Sequence, residues 1–336
     1  MDVVEQLPAE IRKRVRRRKM PSWSSPILAT LARGPFSDDG WIFERKLDGE
    51  RCLAFVTAGK VRLLSRKRKE LNDAYPEIEK EMGSAGLSDF IVDGEVVAFR
   101  KGRTSFSRLQ SRMQIRDRDE AIKLSRKVAV FYYVFDLVHF DGRDLTRVPL
   151  RHRKGILKRI MTFRDPVRYT SHRNCDGESV YREACRKGWE GVIAKKADSV
   201  YRHSRSREWL KFKCVNRQEF VVGGYTKPGG RRQDFGAVLI GYYRDQDLVY
   251  AGKVGTGFSE KMLGDLKKKF DSRERKTSPF VSGAPGTNGV TWLSPQLVVE
   301  VGFTEWTERG RLRHPRYLGL RDDKDPRDVV RENVEG

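Results

Sequence analysis

The pattern of strands and helices changes character at Cys214. Before it, β-branched and aromatic runs alternate with helix-type segments. Cys52 to Val56 and Val61 to Ser65 flank Ala58-Gly59, the pattern of a hairpin. Asp73 followed by Pro76 and Glu77 predicts a helix start, and Phe90 to Phe99 predicts two strands around Asp93-Gly94-Glu95. Pro149 opens a helix through Ile160, and Glu178 to Lys187 is another, stopped by Gly188. Strands follow at Gly191 to Lys195 and Trp209 to Lys213.

Beyond Cys214 the strands are short and divided by Gly-rich turns: Phe220 to Tyr225, Gly236 to Tyr243, Leu248 to Val254 and Leu297 to Trp306. Ser259 to Phe270 reads as the one helix. Five or so strands with a single helix suit a small barrel of the oligonucleotide-binding (OB) type. The expectation is an α+β domain over residues 26–215 and a barrel over 216–336, preceded by a basic arm over 1–25.

A hydrophobic fraction of 38% is enough for packed cores and excludes wholesale disorder. Lysine and arginine total 69 against 46 acidic residues, a net charge of +23. An excess of that size repels itself in the folded state and calls for a polyanionic partner such as nucleic acid. Arg12, Lys13, Arg14, Arg16, Arg17, Arg18 and Lys19 concentrate part of it before Pro21, as a phosphate-touching helix or a solvated arm. No apolar run is long enough to span a bilayer, and Val128 to Val138 reads as a buried strand. Cys52, Cys175, Cys185 and Cys214 show no paired spacing, so neither a zinc site nor a disulfide framework is expected, and a reducing cytoplasm is the default. The five histidines have no ligand spacing either.

The chemistry concentrates in Lys46-Leu-Asp-Gly-Glu-Arg51. Taken alone, an exposed turn with solvated charges produces such a string. Its company changes the reading. Asp93-Gly94-Glu95 follows a strand, Phe135-Asp136 closes another, Glu190-Gly191 begins a third, and Lys211-Phe212-Lys213 lies on a fourth. Side chains alternate along a strand, so Lys211 and Lys213 share one face. A lysine that attacks phosphorus must be neutral, and nearby cations would lower its pKa; Arg51, Arg66, Lys211 and Lys213 are the candidates to do so. The same cations would stabilise phosphoryl charge in the transition state.

These strings, in this order, resemble the nucleotidyltransferase motifs of ATP-dependent DNA ligases, and in particular the ligase module of bacterial end-joining ligases of the ligase D type. The likeness is carried by Phe135-Asp-Leu-Val-His-Phe-Asp-Gly-Arg-Asp-Leu145, Glu190-Gly-Val-Ile-Ala-Lys-Lys-Ala-Asp-Ser199 and Trp209-Leu-Lys-Phe-Lys-Cys214. Tyr250-Ala-Gly-Lys-Val-Gly-Thr-Gly-Phe258, Arg313-His-Pro-Arg-Tyr-Leu-Gly-Leu320 and Arg321-Asp-Asp-Lys324 extend it toward the C-terminus. The resemblance implies a nucleotidyltransferase (adenylation) domain followed by an OB barrel, and a ligase that seals nicks or broken DNA ends through a lysyl-AMP intermediate.

It also implies roles. Lys46 is the nucleophile, and Lys211 with Lys213 holds the α-phosphate. Glu95 and Arg51 bind the ribose, Arg66 lies on the phosphate side, and Arg205 joins the phosphate site. Phe135 stacks on adenine and Glu44 receives its amino group. Glu190 is the ligand for a divalent cation, Mg2+ or Mn2+. Arg321 and Lys324 orient the leaving pyrophosphate when the second domain closes over the first. The expected setting is the bacterial cytosol and nucleoid, in DNA repair and end joining, with DNA and a Ku-type end-binding protein as partners and no membrane. An RNA ligase or a capping guanylyltransferase shares the Lys-x-Asp-Gly string, and a catalytically dead nucleic-acid-binding module is the rival of another class.

The charge balance has a direct consequence. Affinity for a nicked duplex should fall steeply with salt, because docking a +23 chain releases condensed counterions. A titration from low to moderate ionic strength measures the slope, and a flat dependence would remove phosphate contacts as the chief source of affinity.

Overall fold

A computed structural model describes residues 2–332 apart from 33, 88, 114, 215, 230–233 and 287. The described residues separate after Cys214 into two compact units. Val215, the predicted boundary, lies outside the described residues, as do residues 333–336.

In the first unit the main elements are β1 (Leu28–Leu31), β2 (Asp38–Lys46), β3 (Glu50–Thr57), β4 (Lys60–Ser65), α1 (Pro76–Gly83), β5 (Phe90–Arg100), α2 (Phe106–Met113) and α3 (Arg118–Ser125). They continue with β6 (Val130–Phe140), α4 (Leu150–Ile160), β7 (Val167–Tyr169), β8 (His172–Cys175), α5 (Gly177–Arg186), β9 (Gly191–Lys196) and β10 (Arg205–Lys213). One sheet runs β6-β5-β3-β4, with β7 parallel to β6. The other runs β8-β2-β9-β10-β1.

Alternation of side chains sorts the apolar residues into three layers. The outer face of the first sheet (Cys52, Ala54, Val92, Val96, Tyr132, Val134) is covered by helix residues that include Ile78, Leu109 and Leu157. Its inner face (Leu53, Phe55, Ile91, Phe135, Val138) packs with Ile42, Tyr201 and Trp209 from the second sheet and its connections. The outer face of the second sheet (Phe43, Val192, Ala194, Phe212) buries Val180 and Ala184 of α5.

Where two strands were expected around Asp93-Gly94-Glu95, β5 is continuous over eleven residues. Gly94 makes no turn. It lies against Tyr132, and a Cβ there would stand 2.5 Å from Tyr132 Cε2, so glycine serves close packing inside the strand. Helices α2 and α3 fall in a basic stretch with weak sequence signals. Phe106, Leu109 and Met113 bury the apolar stripe of α2, and the fully buried Arg112 is clamped by Glu77 at 2.8 and 2.9 Å.

The N-terminal arm is laid onto this unit. Val4, Leu7 and Ile11 enter its core, each contributing roughly 1.5–3 kcal/mol of apolar burial. Arg16–Arg17 pairs antiparallel with Arg143–Asp144, and His139 Nε2 lies 2.9 Å from the Arg18 carbonyl oxygen. The basic side chains from Arg12 to Lys19 stay exposed.

The second unit has β11 (Asn216–Thr226), β12 (Val238–Arg244), β13 (Asp247–Val254), α6 (Glu260–Asp271), β14 (Val290–Phe303) and β15 (Arg316–Leu320). Its sheet runs β13-β12-β11-β14, with β15 on the far side of β14. Leu263, Leu266 and Phe270 of α6 close its core, Phe270 stacking on Tyr225 at 5.4 Å. Among the described residues no helix is long and apolar enough to cross a membrane.

One expectation is overturned. Cys185, at the end of α5, is bonded to Cys214, just after β10, with Cα atoms 5.1 Å apart. Sequence spacing gave no sign of it, because the contact is made by packing α5 under the second sheet. Cys52 and Cys175 are free. Thiol titration of the unfolded, unreduced protein should therefore find two thiols, and four after reduction. Opening this loop should remove about 3–4 kcal/mol of stability, read as a lower melting temperature with reductant. Four thiols before reduction would show the bond absent.

Candidate active site

The inner face of the second sheet carries the charged residues. Lys46 on β2 pairs in register with Gly191 on β9, and Gly191 with Lys213 on β10. The next row is Glu44, Ile193 and Lys211, and the third is Ile42, Lys195 and Trp209. Successive rows stand about 7 Å apart along the strands. The first row places two lysines about 9–10 Å apart with no side chain between them. Gly191 is required there: a Cβ would overlap the Phe212 carbonyl oxygen and stand 3.0 Å from Lys213 Cα.

Lys46 does not stand among cations. Its Nζ lies 2.6 Å from Glu190 Oε1, with the two side chains 18% and 6% exposed. Desolvation pushes the Lys46 pKa down, but the Glu190 charge and hydrogen bond, with Asp48 and Glu95 behind them, push it up further, and the net shift is upward. This reverses the expectation that neighbouring cations lower it. Without nucleotide, Lys46 is held as an ammonium.

Arg51 and Glu95 lie opposite one another on β3 and β5. Arg51 is locked by Asp93, with Nε 2.5 Å from Oδ1 and Nη2 2.6 Å from Oδ2. The Tyr201 hydroxyl donates to the same Asp93 Oδ2 at 2.6 Å. Burial works against the Arg51 charge, but Asp93 outweighs it and raises the pKa. The Arg51 guanidinium stands 4.7 Å from the centre of the Phe135 ring, and Lys195 Nζ stands 4.1 Å from it. A base stacked on Phe135 takes a place that one of these cations now holds.

Glu44 is 2% exposed and bound by two buried amines, Lys154 at 2.7 Å and Lys195 at 2.6 Å. Helix α4 delivers Lys154, and the neighbouring Arg153 anchors that helix to β6 through a fully buried two-point pair with Asp136 at 2.8 Å. Sequence reading missed Lys154, Lys195, Asp93, Tyr201 and this anchor. Period-two counting from Gly191 puts Lys195 on the site face, but nothing in the sequence brings α4 against Glu44.

Two expected residues stand apart from this cluster. Arg66 is exposed in the turn after β4. Arg205 is exposed at the opposite end of β10 from Lys213, on the order of 20 Å along the strand, and donates to the Ala29 carbonyl at 2.6 Å. In the second unit Arg321 pairs with Asp323 at 2.8 Å and lies 3.3 Å from Glu219. Lys324 lies 3.0 Å from the same Glu219. Both cations are thus engaged by carboxylates of their own unit.

Glu190 offers a hard oxygen donor beside the attacking nitrogen, with Asp48 and Glu95 close enough to act on Lys46. Among the described residues no three metal-ligating side chains gather into one site. That donor set fits a cation held by one or two carboxylates and completed by phosphate oxygens and water, as Mg2+ is in phosphoryl-transfer sites.

Comparison with known proteins agrees with this geometry. The family model "ATP dependent DNA ligase domain" matches residues 26–213, and "ATP dependent DNA ligase C terminal region" matches residues 231–324. The multifunctional non-homologous end joining protein LigD of Pseudomonas aeruginosa is 36% identical over 325 residues, 94% of this chain and 38% of that protein. LigD of Mycobacterium tuberculosis is 36% identical over 299 residues, 87% of this chain and 37% of that protein. The chain thus spans less than two-fifths of the length of these relatives. A solved structure described as mycobacterial DNA ligase D complexed with ATP and MES superposes with a TM-score of 0.67 at 33% identity, covering 92% of this chain and 98% of that one. The fold is accordingly a nucleotidyltransferase unit followed by an OB-type unit. With a buried lysine set beside Glu190 on the sheet that the first profile spans, this chain belongs to the ATP-dependent DNA ligase family.

Proposed function

We propose that the chain joins nicks or broken DNA ends at the expense of ATP, in DNA repair and end joining in the bacterial cytosol, with a Ku-type end-binding protein as partner on broken ends. The observation that carries this reading is the row Lys46–Gly191–Lys213. It sets a nucleophile and a cation on either side of a gap of phosphate size. The end-joining role rests on the names of the Pseudomonas and Mycobacterium relatives.

In the first step neutral Lys46 Nζ attacks the α-phosphorus. A P–N bond forms, the α–β bridging P–O bond breaks, and pyrophosphate leaves. Lys211 and Lys213 bear the charge on the α-phosphoryl oxygens. Glu95 and Arg51 hold the ribose, Phe135 and Glu44 the base. In the second step a DNA 5′-phosphate oxygen attacks the same phosphorus and Lys46 departs. In the third, the neighbouring 3′-hydroxyl attacks the adenylated 5′-phosphate and AMP leaves. A divalent cation held by Glu190 would neutralise polyphosphate charge and weaken the carboxylate's hold on the Lys46 proton. Arg321 and Lys324 act on the departing pyrophosphate, exchanging Glu219 and Asp323 for phosphate oxygens.

Incubation with α-labelled ATP should give an adduct stable to alkali and labile to acid. Lys46→Ala should abolish it, and full labelling of that variant would sink the assignment. Because the Lys46 pKa is raised, the neutral fraction grows about tenfold per pH unit below that pKa. Single-turnover labelling should climb with pH through the alkaline range, and a plateau from pH 7 upward would refute a nucleophile stored as an ammonium.

Removing the chain from Arg321 onward should impair reaction with ATP and spare sealing of a nick that already carries a 5′-adenylate. The two rates, measured side by side, decide it. Equal losses would place the tail outside the first step.

A further inference from the structure

The surroundings of Glu44 reach further than its expected role. One carboxylate here carries two ammonium groups. The nearest other buried acid, Asp136, is already taken by Arg153. The trio of Glu44, Lys154 and Lys195 therefore keeps one uncompensated positive charge at 1–2% exposure. A buried charge of that kind is expensive unless something is gained from it.

The two lysines differ. Lys154 spends its donors on Glu44 Oε1 at 2.7 Å, the Thr170 carbonyl at 3.1 Å and the Phe135 carbonyl at 3.3 Å. Lys195 Nζ is 2.6 Å from Glu44 Oε2 but outside hydrogen-bonding angles, and it has no other hydrogen-bond partner among the described residues. It stands instead 4.1 Å and 3.9 Å from the centres of the Phe135 and Trp209 rings. Burial lowers its pKa first of all; Glu44 opposes this, Lys154 adds to it, and the result is about 8. A buried ammonium with unspent donors thus sits beside an ionised carboxylate that has lone pairs left. An amino-purine edge presents the complement, an N–H donor next to a ring-nitrogen acceptor, whereas a 6-oxo purine puts an acceptor where the amino group stood.

We propose that Lys195 reads the nucleotide base directly, donating to a ring nitrogen next to the amino group that Glu44 accepts, and that Lys154 and Lys195 together keep Glu44 ionised so that the site rejects 6-oxo purines. The proposal rests on the ligase reading above and gives it a base-selecting device. Its position fits: Glu44 and Lys195 stand on the second and third rows from Lys46, the direction in which a nucleotide extends from its α-phosphate.

The charged and titratable groups facing Glu44 are Lys154 on α4, Lys195 on β9, His172 opposite it on β8 and Tyr169 on β7, with Asp136 on β6 behind them. Burial works against the Glu44 charge, and Lys154 and Lys195 more than offset it, so its pKa is lowered. Removing either ammonium raises it. The acid form then becomes accessible as pH falls, and a carboxylic acid donates to a 6-oxo oxygen.

The experiment compares labelling of the full chain by α-labelled ATP and inosine triphosphate between pH 6 and 8. The unaltered protein should prefer ATP by at least about a hundredfold at every pH. In Lys195→Met the preference should drop by about tenfold or more and shrink further toward pH 6. Lys195→Arg, which keeps the charge, should hold a pH-independent preference. Glu44→Gln, able to donate or accept, should label with both nucleotides without pH dependence. General damage to the fold lowers both labels together and leaves their ratio unchanged. An unchanged ratio in Lys195→Met and Glu44→Gln overturns the proposal while the ligase reading stands. No labelling of the unaltered protein by ATP overturns both.

Discussion

The pairing of β2, β9 and β10 is the constraint on which the catalytic unit depends. Three strands in register bring Lys46, Gly191 and Lys213 into one line. A slip of one residue would turn every charged side chain of that line onto the apolar face beneath α5. The register is defended from that side. Phe43, Val192, Ala194 and Phe212 are all nearly inaccessible and pack against α5, so a slipped strand would bury lysines where these residues now sit. The chemistry on one face is held in place by the hydrophobic effect on the other.

The inner face shows how a strongly basic chain carries buried charge. Each deeply buried cation has a carboxylate: Arg153 has Asp136, Arg51 has Asp93, Arg112 has Glu77, and Lys46 has Glu190. Such pairs add little net stability compared with apolar packing, but losing one partner leaves a bare charge and costs about 3–5 kcal/mol. They act chiefly as locks on geometry. The Arg153–Asp136 lock sets α4 on β6 and so delivers Lys154 to Glu44. The Glu44 trio is the exception, with two cations on one anion.

The same rule governs the second unit. Arg321 is 9% exposed and is held by Asp323 and Glu219. Those carboxylates raise its pKa against the opposing effect of burial. Lys324 shares Glu219. A phosphate ligand for this pair has to compete with anions already in place. Release and recapture by Glu219 therefore accompany any engagement of a polyphosphate.

Much of this protein is legible in its sequence because the signals are local. Period-two alternation places Lys211 with Lys213 and Glu44 with Lys46. Pro149 and Gly188 mark helix ends, and the glycine-rich short strands after Cys214 announce a second unit. The order of the motifs names the family. What the sequence does not contain is the partner of each buried charge, since that depends on contacts between residues far apart in the chain. The Lys46 ammonium meets Glu190 rather than the cations that motif reading would gather around it. Glu44 meets Lys154 across 110 positions, Arg51 meets Asp93, and Cys185 meets Cys214 through packing of α5 on the sheet. Local chemistry chose which residues carry charge; only the tertiary structure decided which charges face each other, because pKa and hydrogen-bond geometry are set by neighbours in space.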